Sequence, residues 1–147
     1  MVVEIDELRT SIDGWQEDEG TRLLGRQMAI DMADRHLRSG TDVVVPQYLG
    51  RTDFIDELER TAHAARARFV EVLLVADEDA VVARFEARRT AAAVPHPQLE
   101  VEDVRAVVAD AIARLEVVAT ERSETLTVSG HDNPEVTLAR LSTTLRP

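Results

Sequence analysis

Apolar positions along this chain fall into short unbroken runs separated by stretches with helical spacing. Val2-Val3-Glu4-Ile5 reads as a short strand ending at Asp6, and the acid-rich stretch 11–20, with Gly14 and Trp15, reads as a loop. From about Thr21 to Arg38, the residues Leu24, Met28, Ile30, Ala33 and Leu37 lie at helical spacing. Ser39-Gly40 closes that helix, since glycine is the usual residue just past a helix C-terminus. Asp42-Val43-Val44-Val45-Pro46 is a β-branched run closed by proline, the pattern of a strand buried on both faces. Thr52 or Asp53 is placed to cap a helix from Phe54 to about Ala67, with Ile55, Leu58 and Ala62 on one side. Phe69 to Val75 is a second buried strand, after which Asp77 starts a helix from about Glu78 to Arg89.

Pro95 and Pro97 mark the stretch from Ala91 to Gln98 as a loop. Val101, Val104, Val108, Ala111, Leu115 and Val118 then follow at alternating steps of three and four, the signature of a long amphipathic helix. Leu126-Thr127-Val128 is a short final strand. Asn133-Pro134 pairs a capping side chain with proline in the first turn, and opens a helix carrying Val136, Leu138, Leu141 and Leu145. Strands alternating with helices, and uniformly apolar strands, predict an α/β domain over residues 1–147 with a three-layer parallel sheet.

Composition narrows the chemistry. The chain has 147 residues, 44% of them hydrophobic, which suits one core, but only 3% are aromatic, so Val, Leu, Ile and Ala must fill it. There is no cysteine, which excludes disulfides, thiolate metal sites and cysteine nucleophiles and fits a cytoplasmic setting. The histidines His36, His63, His96 and His131 have no metal-ligand spacing, so no metal ligands are assigned. No apolar run is long enough for a membrane span, and Glu4, Asp6 and Glu7 do not read as a signal peptide. A net charge of −11 argues against nucleic acid as a partner. All 17 basic residues are arginine, so no mechanism that needs a lysine can operate within this chain.

Four places fall just past predicted strands, where ligands bind in open α/β sheets. Asp6 and Arg9 set a carboxylate, able to accept a hydroxyl proton, beside a guanidinium able to grip an anion. The same pattern equally describes an ordinary acid and arginine at a helix start. Gln47, Tyr48 and Arg51 follow the second run, where a proline-directed turn with a solvated arginine is the competing description. Arg84 and Arg88 are four apart and share a helix face, with Arg89 beside them; Glu86 and Asp79 are near enough in sequence to neutralise them. Val128-Ser129-Gly130-His131 ends a strand and is placed to line an adenine or substrate pocket, or to form a plain turn. Gly20-Thr21-Arg22-Leu23-Leu24-Gly25-Arg26-Gln27 has the glycine spacing of a phosphate-binding loop but lacks its lysine and the following hydroxyl residue, and acids rather than an apolar strand precede it. No Gly-x-Ser-x-Gly elbow supports a hydrolase.

Taken in order, these pieces resemble the small-molecule P-loop kinases, including gluconate kinase-like and chloramphenicol phosphotransferase-like proteins and those named AAA-family ATPase. Asp6-Glu7-Leu8-Arg9 resembles their acid-x-x-Arg signature, the segment from Leu37 to Phe54, with Gly40, Val43 to Gln47 and Arg51, their third strand and its turn, and Phe69 to Val75 their fourth strand. Arg84, Arg88 and Arg89 resemble the arginine-bearing lid, and Leu126 to Leu145 the closing strand and helix. The resemblance implies phosphoryl transfer from ATP, with Mg²⁺, to a small-molecule hydroxyl. Asp6 would be the general base, Arg9, Gln47 and Arg51 would hold the acceptor, and Arg84 and Arg88 would close over the ATP phosphates. The family's first strand and its lysine-bearing loop have no counterpart here, so the expected domain is an N-terminally truncated one, inactive in transfer. In the family that strand lies between the third and fourth, so its absence predicts unpaired strands near Val43 and Val70. Such strands would close up, stay unsatisfied, or pair with a second copy in a homodimer. The alternative reading is a non-catalytic homodimerising or partner-binding module, with the Val101–Val118 stripe offered to a partner helix or packed on the sheet.

Overall fold

Helices dominate the computed structural model, which describes residues 1–13, 19–91, 101–131 and 133–145. The expected loops around Gly14 and around Pro95 lie outside the described residues, as does His96. The chain divides into two compact units, Met1–Phe69 and Val70–Pro147.

The first unit holds helices α1 (Ile5–Thr10), α2 (Glu19–Arg38) and α3 (Thr52–Ala64). Val3, Ile5, Ala29, Ile30 and Phe54 form its buried cluster, with Val43, Val45, Leu49 and Leu58 packed against it. Helix α2 stops as the glycine predicts: Gly40 takes φ +80°, its N–H donates to Leu37 O, and the Thr41 N–H reaches back to His36 O. Helix α3 ends the same way on Arg66, whose φ of 58° is unusual for a residue with a side chain. Its N-cap is Arg51, with no side-chain cap, rather than Thr52 or Asp53. On α2 the Arg38 guanidinium bonds Asp34 and holds that carboxyl below the usual carboxylate range.

The second unit holds strand β1 (Val72–Val75), helix α4 (Glu78–Ala91), helix α5 (Val104–Glu121), strand β2 (Leu126–Ser129) and helix α6 (Pro134–Thr144). Strands β1 and β2 run parallel, with Val72 opposite Leu126 and Val75 opposite Ser129. Among the described residues Val104, Val108, Val118 and Val128 are its buried apolar side chains. Asp103 caps α5 by accepting the Ala106 N–H at 2.9 Å, which sets the helix start later than the apolar stripe implied. Asn133 caps α6 through the Val136 N–H at 2.9 Å, with Pro134 in the first turn as expected.

The expected three-layer parallel sheet of the P-loop kinase type is not what forms. Among the described residues the sheet has two strands, and the chain is otherwise mainly helical. The Val2–Ile5 and Val43–Val45 runs give a single parallel bridge between Val2 and Val44, held by Val3 N–H to Val44 O and Val44 N–H to Met1 O. The ladder is short for local reasons: α1 begins at Ile5, and Pro46 has no N–H to continue it. Unbroken apolar runs read as buried on both faces, yet Val44 is 57% exposed and Leu74 is 53% exposed. Each run thus carries a largely exposed side chain near its middle, and neither is buried on both faces.

Gly25 marks one close approach within the first unit. A Cβ there would sit 2.7 Å from Arg9 Cγ and 3.7 Å from an Ile5 methyl, so the arginine stem lies directly on the glycine. Gly→Ala within a helix ordinarily stabilises by about 1 kcal/mol. Here the reverse is expected, a loss of about 1–2 kcal/mol by urea unfolding, because the contact is with the stem of an enclosed side chain. In an Arg9→Ala background the same change should become neutral or stabilising. A stabilising Gly25→Ala in the native background would contradict this packing.

Candidate functional site

In the second unit, the C-terminal ends of β1 and β2 open onto a groove of about 740 Å³. Its floor is apolar, from Leu74, Val75 and Ala76 at the end of β1 to Leu138 and Leu141 on α6. Its polar groups come from Arg84 on α4, from Gly130, His131 and Asn133 after β2, and from Thr137 on α6. The volume is within the range of small-molecule sites, but the groove is broad and open to solvent rather than enclosed.

The polar groups are held in place by the strand ends. Arg84 Nη2 donates to Gly130 O at 2.7 Å, linking α4 to the turn after β2. The turn itself is fixed by the Gly130 N–H, which donates to Val75 O at 2.7 Å. His131 Nδ1 lies 3.0 Å from Asp77 Oδ2, so a residue following each strand meets the other. An Nδ1–H donated to Asp77 leaves Nε2 as an acceptor; on protonation both nitrogens donate. Asn133 lines the groove while its side-chain oxygen is engaged in capping α6.

The sequence-assigned residues divide between the two units. Asp6, Arg9, Gln47 and Arg51 lie in the first, and Arg84 and Arg88 in the second. Asp6 sits in the first turn of α1 with Arg9 Nη1 at 3.8 Å from its carboxylate. The Arg9 side chain is only 13% exposed, so much of its length serves packing. Gln47 is half-buried in the segment after Val44, and Arg51 is 72% exposed and bonds Asp53 at 3.2 Å. Arg88 is exposed on α4. Neither suggested neutraliser pairs with Arg84 or Arg88: Glu86 binds Arg89 at 2.6 Å, and Asp79 and Glu78 both bind Arg105.

Sequence reading did not anticipate the Asp77–His131 pair, although each residue sits just past an apolar run that became a strand. It also missed Glu71–Arg122, a salt bridge in which each side chain is 17% exposed. Its signal was one acid inside the run from Phe69 to Val75, where an enclosed charge demands a partner. Among the described residues no three His, Asp or Glu side chains converge on a metal position, and the chain holds no lysine. No described helix is long and apolar enough to cross a membrane. Compared with protein-family models, curated proteins and solved structures, the chain matches none.

Proposed function

We propose that the second unit binds the base and sugar of a nucleotide, with adenine the leading candidate, in the groove lined by Arg84, Gly130, His131 and Asn133, and does not transfer phosphate. The observation that carries this reading is the convergence of Arg84, Gly130 and His131 at the C-terminal ends of two parallel strands. A flat base suits the apolar floor and the plane of the Arg84 guanidinium. His131 supplies a hydrogen-bonding edge, and Arg88, exposed one turn along α4 from Arg84, is the cation offered to an anionic tail. Binding without turnover is the reading that the missing lysine supports, since that side chain grips the transferred phosphate in phosphotransfer sites. A cytoplasmic setting, where nucleotides are abundant, belongs to the same reading.

Titration of the chain with a fluorescent ATP analogue tests it. Saturable binding in the micromolar to millimolar range is expected, weakened at least tenfold by Arg84→Ala and unchanged by Arg51→Ala. ATP should give no ADP on prolonged incubation. No binding up to several millimolar, or equal binding by the Arg84→Ala protein, would sink the proposal.

A further inference from the structure

The carboxylate of Asp77 fixes which hydrogen-bonding atom the His131 ring offers to the groove. Val75 pairs with Ser129 in the parallel ladder, and Asp77 and His131 each lie just past those partners. That register holds His131 Nδ1 3.0 Å from Asp77 Oδ2. A carboxylate only accepts, so in a neutral imidazole beside it the single ring proton sits on Nδ1. The other tautomer would set a nitrogen lone pair against a carboxylate oxygen. Nε2 is then an acceptor, and it is the remaining polar atom of a side chain that lines the groove. Acceptors are scarce among the lining side chains. Arg84 carries donors only, and the Asn133 side-chain oxygen already accepts the Val136 N–H. Nε2 and the Thr137 hydroxyl are what is left to accept.

We propose that the Asp77–His131 pair sets the specificity of this groove, selecting a base that presents an exocyclic amino group to Nε2, and that protonation of His131 removes the selection. This rests on the groove binding a nucleotide, and it names the ligand group that is recognised. The amino group of adenine meets Nε2 as a donor. A purine without that group presents only ring nitrogens, so acceptor meets acceptor. Once His131 takes a second proton, both of its nitrogens donate. Nε2–H then opposes the amino group and suits a bare ring nitrogen. The charged groups about the ring are Asp77 after β1 and Arg84 on α4, whose guanidinium holds the adjoining Gly130 carbonyl. Helix α6 adds Glu135 in its first turn, and Asp132 lies outside the described residues. Carboxylates and guanidinium groups ordinarily keep their charge between about pH 8 and pH 5, whereas a histidine ordinarily changes its own there.

The test compares ATP with the triphosphate of purine riboside, which lacks the amino group, as competitors of an ATP analogue that carries its fluorophore on the ribose. Both competitors have the same phosphate tail, so the ratio of their affinities cancels any change of tail charge with pH. At about pH 8 ATP should bind about fivefold tighter, the worth of one neutral hydrogen bond. At about pH 5 the ratio should fall to one or below. His131→Phe keeps a flat ring without an acceptor and should give a ratio near one at both pH values. Asp77→Ala frees the tautomer and should bring the ratio near one at the higher pH, with circular dichroism unchanged. A native chain that does not distinguish the competitors at the higher pH, a preference that persists on acidification, or one that survives Asp77→Ala would overturn the proposal and leave nucleotide binding in place. Failure of the analogue to bind at all would remove the nucleotide reading, and this proposal with it.

Discussion

Phe54→Ala should cost the chain about 3–5 kcal/mol, the usual range for truncating a buried phenylalanine. Phe54 is 3% exposed and belongs to the cluster with Val3, Ile5, Ala29 and Ile30. Its loss would therefore remove contacts that tie α3 to α2 and to the N-terminal segment. The chain has only three phenylalanines, so little other bulk is available to fill the space. One side of the ring also carries a cation: the Arg26 guanidinium lies 5.2 Å from the ring centroid. Phe54→Leu should cost less, about 1–1.5 kcal/mol, because most of the volume survives. Urea unfolding monitored by far-ultraviolet circular dichroism gives both values. A loss below about 1 kcal/mol for the alanine variant would mean the cluster is not the core of that unit.

Arg122→Ala should destabilise the second unit by about 2–3 kcal/mol, below the 3–5 expected for a fully enclosed pair because some water reaches it. Arg122 Nε lies 2.5 Å from Glu71 Oε2, and each side chain is 17% exposed. The pair ties the end of α5 to the residue before β1, and the backbone carbonyl of Glu71 also accepts the Leu126 N–H. Truncating the arginine strands a carboxylate where water reaches poorly. Glu71→Gln with Arg122→Met removes both charges and should recover much of the loss, since an apolar replacement of an enclosed pair is often neutral. Equal losses in the single and double variants would place the effect in packing rather than in the ion pair. The exposed pairs of Arg105 with Glu78 and Asp79 should contribute little, because water screens them.

These contrasts show which signals in the chain were legible. Local chemistry was: Asn133-Pro134 opens α6, Gly40 closes α2, and the Val104–Val118 stripe is a helix. Each depends on a few neighbouring residues whose conformational preferences act alone. The sheet was not, because pairing is decided by partners far along the chain. Val43-Val44-Val45 has every local mark of a buried central strand, yet a central strand needs neighbours on both sides, and only Val44 makes a bridge. An apolar run states that burial is favourable and leaves unstated what supplies it.

The site was legible in part for the same reason. Arg84 and the Gly130–His131 turn were visible as residues just past a strand or on an arginine-rich helix, but their meeting across the groove depends on the parallel register of β1 and β2. The Asp77–His131 pair is a consequence of that register. Two parallel strands ending level bring their following residues side by side, and neither residue announces its partner. Glu71 differs, since one acid in an apolar run is itself a signal and only its partner's identity was hidden. Arg9 shows a second role that its motif did not announce: Gly25 lets the stem of its side chain pack in the first unit.

The account rests on the groove at the ends of β1 and β2, and the measurement that addresses it most directly is a ¹H–¹⁵N spectrum of the labelled chain titrated with ATP. The account predicts saturable shifts concentrated at Ala76, Gly130, His131 and the Arg84 backbone and side chain, and none of comparable size at Asp6, Arg9 or Arg51. Shifts that cluster in the first unit, or a spectrum that does not move at millimolar nucleotide, would contradict it.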